Sequence, residues 1–190
     1  MRKFCIALIT ASGWLTCAAQ VQIVQVTNVP PTQLEALEAR TGTVIVKGAG
    51  QIGSLDVGTA NILVISKESR DVSTGYKEYG MAVEVDANNQ RAWKKTVDYD
   101  EIGPLLSNLD YLAKIDYNVT SQPTFVAGYV TKSGFRVGAF TSQRRGVIQF
   151  FLQDYRTNSA RVLITPTQLA QFQNLIEQAR KNLDSLRAAK

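Results

Sequence analysis

The 190-residue chain carries 21 Lys and Arg against 16 Asp and Glu, contains no His, and has only two Cys, at positions 5 and 17. An apolar share of 45% and a charged share of 19% describe a folded globular protein and exclude extended disorder. Without imidazole, the side chain that titrates near neutral pH, His-based general-base catalysis, Ser-His and Cys-His nucleophile pairs and His metal ligands are excluded as well.

Residues 1–19 read as a secretory signal, with Arg2 and Lys3 as the charged start, Phe4 to Leu15 as the apolar stretch and Cys17-Ala18-Ala19 as a small-residue cleavage region. The apolar stretch is about a dozen residues, short of the roughly 20 a spanning helix needs. No second such run follows, so no transmembrane segment is expected after signal cleavage. Thr16 ahead of Cys17 is larger than lipoprotein processing favours, which argues against lipid attachment. Cleavage after Ala19 leaves 19 cations against 16 anions and removes both cysteines. The expectation is a secreted or periplasmic protein with no disulfide, no thiol nucleophile and no Cys/His metal site.

Residues 20–42 form an N-terminal strand and helix. Val21 to Val26 is a β-branched run that predicts a strand, and Pro30-Pro31 breaks it. Thr32 and Glu35 have capping-box spacing, so a short helix carrying Leu34 and Leu37 follows and ends near Thr41-Gly42.

Residues 43–120 switch to period two. Strands are predicted over Thr43–Lys47, Asn61–Lys67, Tyr79–Asp86 and Trp93–Val97. A helix starts at Asp98 with Glu101 as its third-position partner, and Ile102, Leu105, Leu106, Leu109, Leu112 and Ala113 share one face. Residues 121–190 repeat the plan with strands over Thr124–Thr131, Phe135–Thr141, Gly146–Gln153 and Ala160–Ile164. Thr165 caps the last helix, Pro166 takes its first position and Gln168 completes the box; Leu169, Phe172, Ile176, Ala179, Leu183 and Leu186 form one apolar seam.

A shift of 67 residues lays Asp98 on Thr165, Glu101 on Gln168 and Leu109 on Ile176, and brings Met81, Val83 and Val85 onto Ile148, Phe150 and Leu152. The fold class is therefore α+β: two pseudo-repeats of a four-stranded antiparallel sheet followed by one helix, after an N-terminal strand and short helix. In this arrangement the stretch from Thr43 to Leu186 resembles the Pur-alpha and Whirly single-stranded nucleic-acid-binding folds. The resemblance implies a fold rather than a ligand, and it carries no binding residue onto this chain. An export signal makes a nucleic-acid partner unexpected.

Gly48-Ala49-Gly50-Gln51-Ile52-Gly53 matches the dinucleotide fingerprint in spacing, but only Ser54 to Ala60 separates it from the next strand, too few residues for a crossover helix. A glycine-rich hairpin is expected there, and no cofactor. Asp86-Ala87-Asn88-Asn89-Gln90 lacks the central Gly and late Glu of a calcium loop and reads as a turn, so no metal is expected. Asp98, Asp100 and Glu101 fall in a first helical turn, where the helix dipole and capping account for them, and no catalytic residue is assigned. Asn118-Val119-Thr120 is a glycosylation sequon, meaningful only in a eukaryotic secretory pathway.

Two basic groups remain: Arg91 with Lys94 and Lys95, and Arg136 with Arg144 and Arg145, interleaved with Trp93, Phe135 and Phe140. If Ile148, Phe150 and Leu152 face the helix, Phe151 faces the other way, toward a second packed layer or a contact surface. The candidate contact residues are Phe151, Arg136, Arg144, Arg145, Lys94 and Lys95. The expected function is a secreted, non-catalytic binding or assembly module acting through a sheet face or through helix-mediated pairing, with a protein or a second copy as partner. The alternatives are a His-independent carboxylate hydrolase and an anionic-polymer or nucleic-acid binder.

Overall fold

The computed structural model describes residues 32–87, 90–142 and 147–189. The signal sequence expected over residues 1–19 and the strand expected at Val21–Val26 both lie outside the described residues. The elements run α1 (Gln33–Glu38), β1 (Ile45–Asp56), β2 (Asn61–Asp71), β3 (Lys77–Ala87), β4 (Gln90–Asp98), α2 (Tyr99–Ala113), β5 (Val126–Val130), β6 (Phe135–Ser142), β7 (Val147–Asp154), β8 (Val162–Ile164) and α3 (Pro166–Ala188). They build two antiparallel four-stranded sheets in the orders β1-β2-β3-β4 and β5-β6-β7-β8, each followed by a helix. This is the α+β arrangement expected from the two changes of period.

Strand alternation gives each sheet one strongly apolar face. Ile62, Val64, Met81, Val83, Val85, Trp93 and Val97 from the first sheet join Phe135, Val137, Ala139, Phe150, Leu152 and Ile164 from the second in one buried cluster. The two helices fill it with Ile102, Leu105, Leu109 and Leu112 from α2 and with Leu169, Phe172, Ile176, Ala179 and Leu183 from α3. Phe135 joins the parts, its ring centroid lying 6.1 Å from Trp93 and 6.0 Å from Phe172. The α3 seam, a candidate for pairing between copies, is thus buried inside the chain as far as Leu183, and only Leu186 at its end is exposed.

The glycine-rich segment does belong to a hairpin, but as its first arm and not as its turn. Gly48 to Gly53 lies in the middle of β1 and pairs antiparallel with β2, with a bulge between Gln51 and Gly53; the turn comes later, where Gly58 has φ +78. The physical reason lies on the packed face. A Cβ on Gly53 would stand 2.7 Å from Leu175 Cδ2, so a bare backbone there lets α3 settle on β1.

Helix α1 covers the opposite face of the first sheet. Thr32 Oγ1 accepts the Glu35 amide at 3.1 Å, and Leu34 and Leu37 are buried against the sheet. The free amides at the start of α1 find a distant acceptor: Asp98 takes those of Gln33 at 2.8 Å and Leu34 at 3.1 Å. At its other end Glu38 meets Lys67 at 2.6 Å and Lys47 at 3.4 Å. Burial alone would raise the Glu38 carboxyl, but Lys67 and Ser69 hold it below its ordinary value.

Candidate functional site

The second sheet gives one face to the core, through Phe135, Val137, Ala139, Phe150, Leu152 and Ile164, and its other face carries the residues that alternate with these. Register puts Arg136 opposite Gln153, Gly138 opposite Phe151, and Phe140 opposite Gln149, while Phe151 also pairs with Leu163 of β8. All of these point away from the core. Phe151 is nevertheless 0% exposed. Its cover is cationic: the Arg136 guanidinium carbon lies 5.3 Å from the ring centroid and that of Arg161 4.5 Å. Arg136 also lies 5.5 Å from the Tyr155 ring and Arg161 5.0 Å from Phe140, whose ring meets Phe151 edge-on at 5.8 Å. Two arginines and three rings therefore make one continuous row across the face.

Stacking fixes the planes of the two guanidiniums but does not neutralise them. Among the described residues neither Arg136 nor Arg161 has a carboxylate partner, and Arg136 Nε is buried without a hydrogen bond. Exposed Val126, Val130 and Leu163 border the row. Under the 67-residue shift Phe151 corresponds to Glu84, which lies on the outer face of the first sheet and pairs with Lys94 at 3.1 Å. The same position thus holds an ion pair in one half and an aromatic under two cations in the other.

The predicted contact residues separate accordingly. Arg136 and Phe151 belong to the row, although Phe151 is a buried platform and not an exposed contact. Lys94 is paired with Glu84. Lys95 is no surface cation: it points into the core side of β4 and meets Asp154 of β7 at 2.9 Å, with side-chain exposures of 14% and 4%. Burial alone would raise the Asp154 carboxyl, while Lys95 and Thr157 hold it below its ordinary value. Trp93 and Phe135, taken as aromatics of the basic surface, are core residues. Arg144 and Arg145 lie outside the described residues. Arg161 and Tyr155 belong to the site without having been singled out: Tyr155 sits in the turn after β7 and reaches Arg136, Arg161 lies just ahead of β8 and reaches Phe151, and strand register sets both approaches.

The acidic residues at the start of α2 serve structure. Asp98 holds α1, Glu101 accepts the Asp98 amide at 3.4 Å and the Lys132 amide at 2.8 Å, and Asp100 meets the Lys132 ammonium at 3.1 Å. Among the described residues no group of three or more Asp and Glu could hold a metal ion, and no helix is long and apolar enough to cross a membrane. No protein-family model matches this sequence, and no curated protein matches it.

Proposed function

We propose that the protein is an exported, non-catalytic binding module that grips an acidic segment of a partner protein with the outer face of its second sheet. The observation that carries this reading is the pair Arg136 and Arg161, stacked over Phe151 without carboxylate partners among the described residues. A stacked guanidinium keeps its N–H edge free for bidentate contact with a carboxylate, and its plane is already fixed, so little rotamer entropy is lost on binding. The exposed Val126, Val130 and Leu163 add an apolar border of the kind protein interfaces combine with Arg and aromatic anchors. Arg144 and Arg145, between β6 and β7 in the sequence, raise the positive charge of this part of the chain. Export rests on the composition of residues 1–19.

A strand of nucleic acid is the less favoured ligand, because base stacking along a strand needs several open ring faces and in this row Phe151 has none, while Tyr155 at its end is exposed. Fluorescence anisotropy with a Glu-rich peptide, its Gln-for-Glu counterpart and an oligo-dT strand tests the reading. The expected result is binding of the Glu-rich peptide alone, weakened about tenfold or more by Arg161→Gln. Equal binding of both peptides, tighter binding of oligo-dT, or no effect of Arg161→Gln and Arg136→Gln together would overturn it.

A further inference from the structure

A second candidate site lies where the ends of β2, β3, α2 and α3 leave a cleft of about 820 Å³. Its walls include the rings of Tyr76, Tyr79 and Tyr99 and the cations Arg70, Lys77 and Arg187. The acids nearby already have partners: Asp100 meets Lys132, and Glu78 accepts the Tyr76 hydroxyl. Lys77 is held by Glu68 at 2.7 Å. Arg70 stands directly opposite Lys77 in the β2–β3 register, an unfavourable like-charge pair, and has no carboxylate partner among the described residues. Arg187 lies 3.9 Å above the Tyr99 ring, with that ring's hydroxyl donating to Asp184, and it too lacks a carboxylate among the described residues. Tyr79 supplies the independent sign of a ligand. It is 7% exposed, it lines the cleft, and its hydroxyl has no hydrogen-bond partner. The Lys77 ammonium, bonded to Glu68 at 2.7 Å, lies near enough to Tyr79 for the two to interact electrostatically. A buried hydroxyl left unpaired is a cost to the free protein, and such costs persist where a ligand removes them.

We propose that this cleft binds a small aromatic carboxylate, its ring among Tyr76, Tyr79 and Tyr99, its carboxylate drawn by Arg70 and Arg187, and one oxygen accepting the Tyr79 hydroxyl. The ligand's ring suits a wall of phenol rings, two of which already hold a guanidinium, Tyr76 that of Arg40 at 5.5 Å and Tyr99 that of Arg187 at 3.9 Å. Its charge answers the two guanidiniums that lack a carboxylate among the described residues, and its oxygen fills the hydrogen bond that the Tyr79 hydroxyl leaves open. This site is separate from the second-sheet face, so either can fail without the other.

The test is an NMR titration of the purified protein with benzoate, with benzamide as the uncharged control and acetate as the ringless one. Expected is binding of benzoate by about 10 mM, mapped to the β2–β3 hairpin and the end of α3, with benzamide and acetate at least tenfold weaker. Tyr79→Phe keeps the ring and removes only the hydroxyl: benzoate binding falls threefold or more, while the thermal midpoint of the free variant stays equal to the parent's or rises. Arg187→Gln weakens binding about tenfold. The proposal is overturned if benzoate does not bind, if it binds with shifts elsewhere, if the controls bind as well, or if both variants bind as the parent does. A Tyr79→Phe protein that melts lower without ligand overturns it too, since the hydroxyl would then have a structural partner.

Discussion

Phe151 shows how much a single position depends on its neighbours. Alternation along β7 tells which way it faces, because Phe150 and Leu152 face the core. Its burial was not legible, since its cover comes from Arg136 on β6 and Arg161 ahead of β8, residues brought together only by register. Its seat depends on Gly138: a Cβ there would stand 2.5 Å from the Ala127 carbonyl oxygen and 2.6 Å from Phe151 Cζ. The backbone oxygen cannot turn aside, so the ring and both guanidiniums would have to shift. Gly138→Ala should therefore cost about 1–3 kcal/mol in urea unfolding and weaken binding at the Arg136 and Arg161 row; an unchanged midpoint would show that the contact relaxes freely. Asp71, at the end of β2, is a second residue with a readable consequence. Its carboxylate accepts the hydroxyls of Ser73 at 2.6 Å and Thr43 at 2.7 Å and the Ser73 amide at 2.9 Å, and these hold it far below the ordinary carboxylate range. A depressed value means stability that is fully present above the unfolded carboxylate's pKa, about 3.9, and is lost as pH falls through the folded one. Asp71→Asn should lower the thermal midpoint at pH 7, and the gap to the parent should narrow steadily below about pH 4. A gap independent of pH would locate the loss in packing and not in the charge.

At the scale of elements, local signals were read well wherever a cap or a turn residue carries them. Thr165 accepts the Gln168 amide at 3.2 Å and Gln168 accepts the Thr165 amide at 2.8 Å, which is the reciprocal pair the spacing predicts. The β1 glycines misled because glycine marks both turns and close approaches, and only the position of Leu175, more than a hundred residues away, distinguishes the two. Lys95 misled for a related reason. Between Lys94 and Thr96 it looked like one more cation on a wet strand, yet period two also means that one of two adjacent lysines must face inward. Its partner Asp154 gives a hydrogen-bonded ion pair between β4 of the first sheet and β7 of the second, with Thr157 and the Arg156 amide completing the carboxylate's shell at 2.8 and 3.0 Å. Removing one member of a largely buried pair leaves the other uncompensated, so Lys95→Met should destabilise by about 3 kcal/mol. Lys94→Met, removing a more exposed partner, should cost about 1 kcal/mol or less. Equal losses for the two, measured by urea unfolding, would mean that the Lys95 pair is solvated like any surface bridge.

For the whole molecule, the question is whether two repeats mean two folding units. The 67-residue shift makes the halves look separable, but the helix that ends the second half is packed on the first. Leu175 of α3 seats on Gly53 of β1, and Phe172 meets Phe135 within the same cluster as Val64, Met81 and Trp93. Neither sheet therefore has a complete core of its own, since the apolar face of the first sheet is closed in large part by a helix encoded after the second. Free-standing halves would expose these faces to water, and with about 25 cal/mol lost per Å² of apolar surface left wet, a single marginal domain cannot sustain that. The chain should then unfold in one cooperative transition. Trp93 is the natural probe, being the only tryptophan after residue 14 and lying at the junction of the two sheets against Phe135. Its fluorescence, which reports the junction, and far-UV circular dichroism, which reports both sheets and all helices, should give the same urea midpoint and the same slope. A fragment of residues 43–120 should remain unfolded at concentrations where the whole protein is native. If fluorescence is lost ahead of the dichroism, or the fragment folds, then the sheets are held by their own helices and α3 is an addition to the first half rather than part of its core.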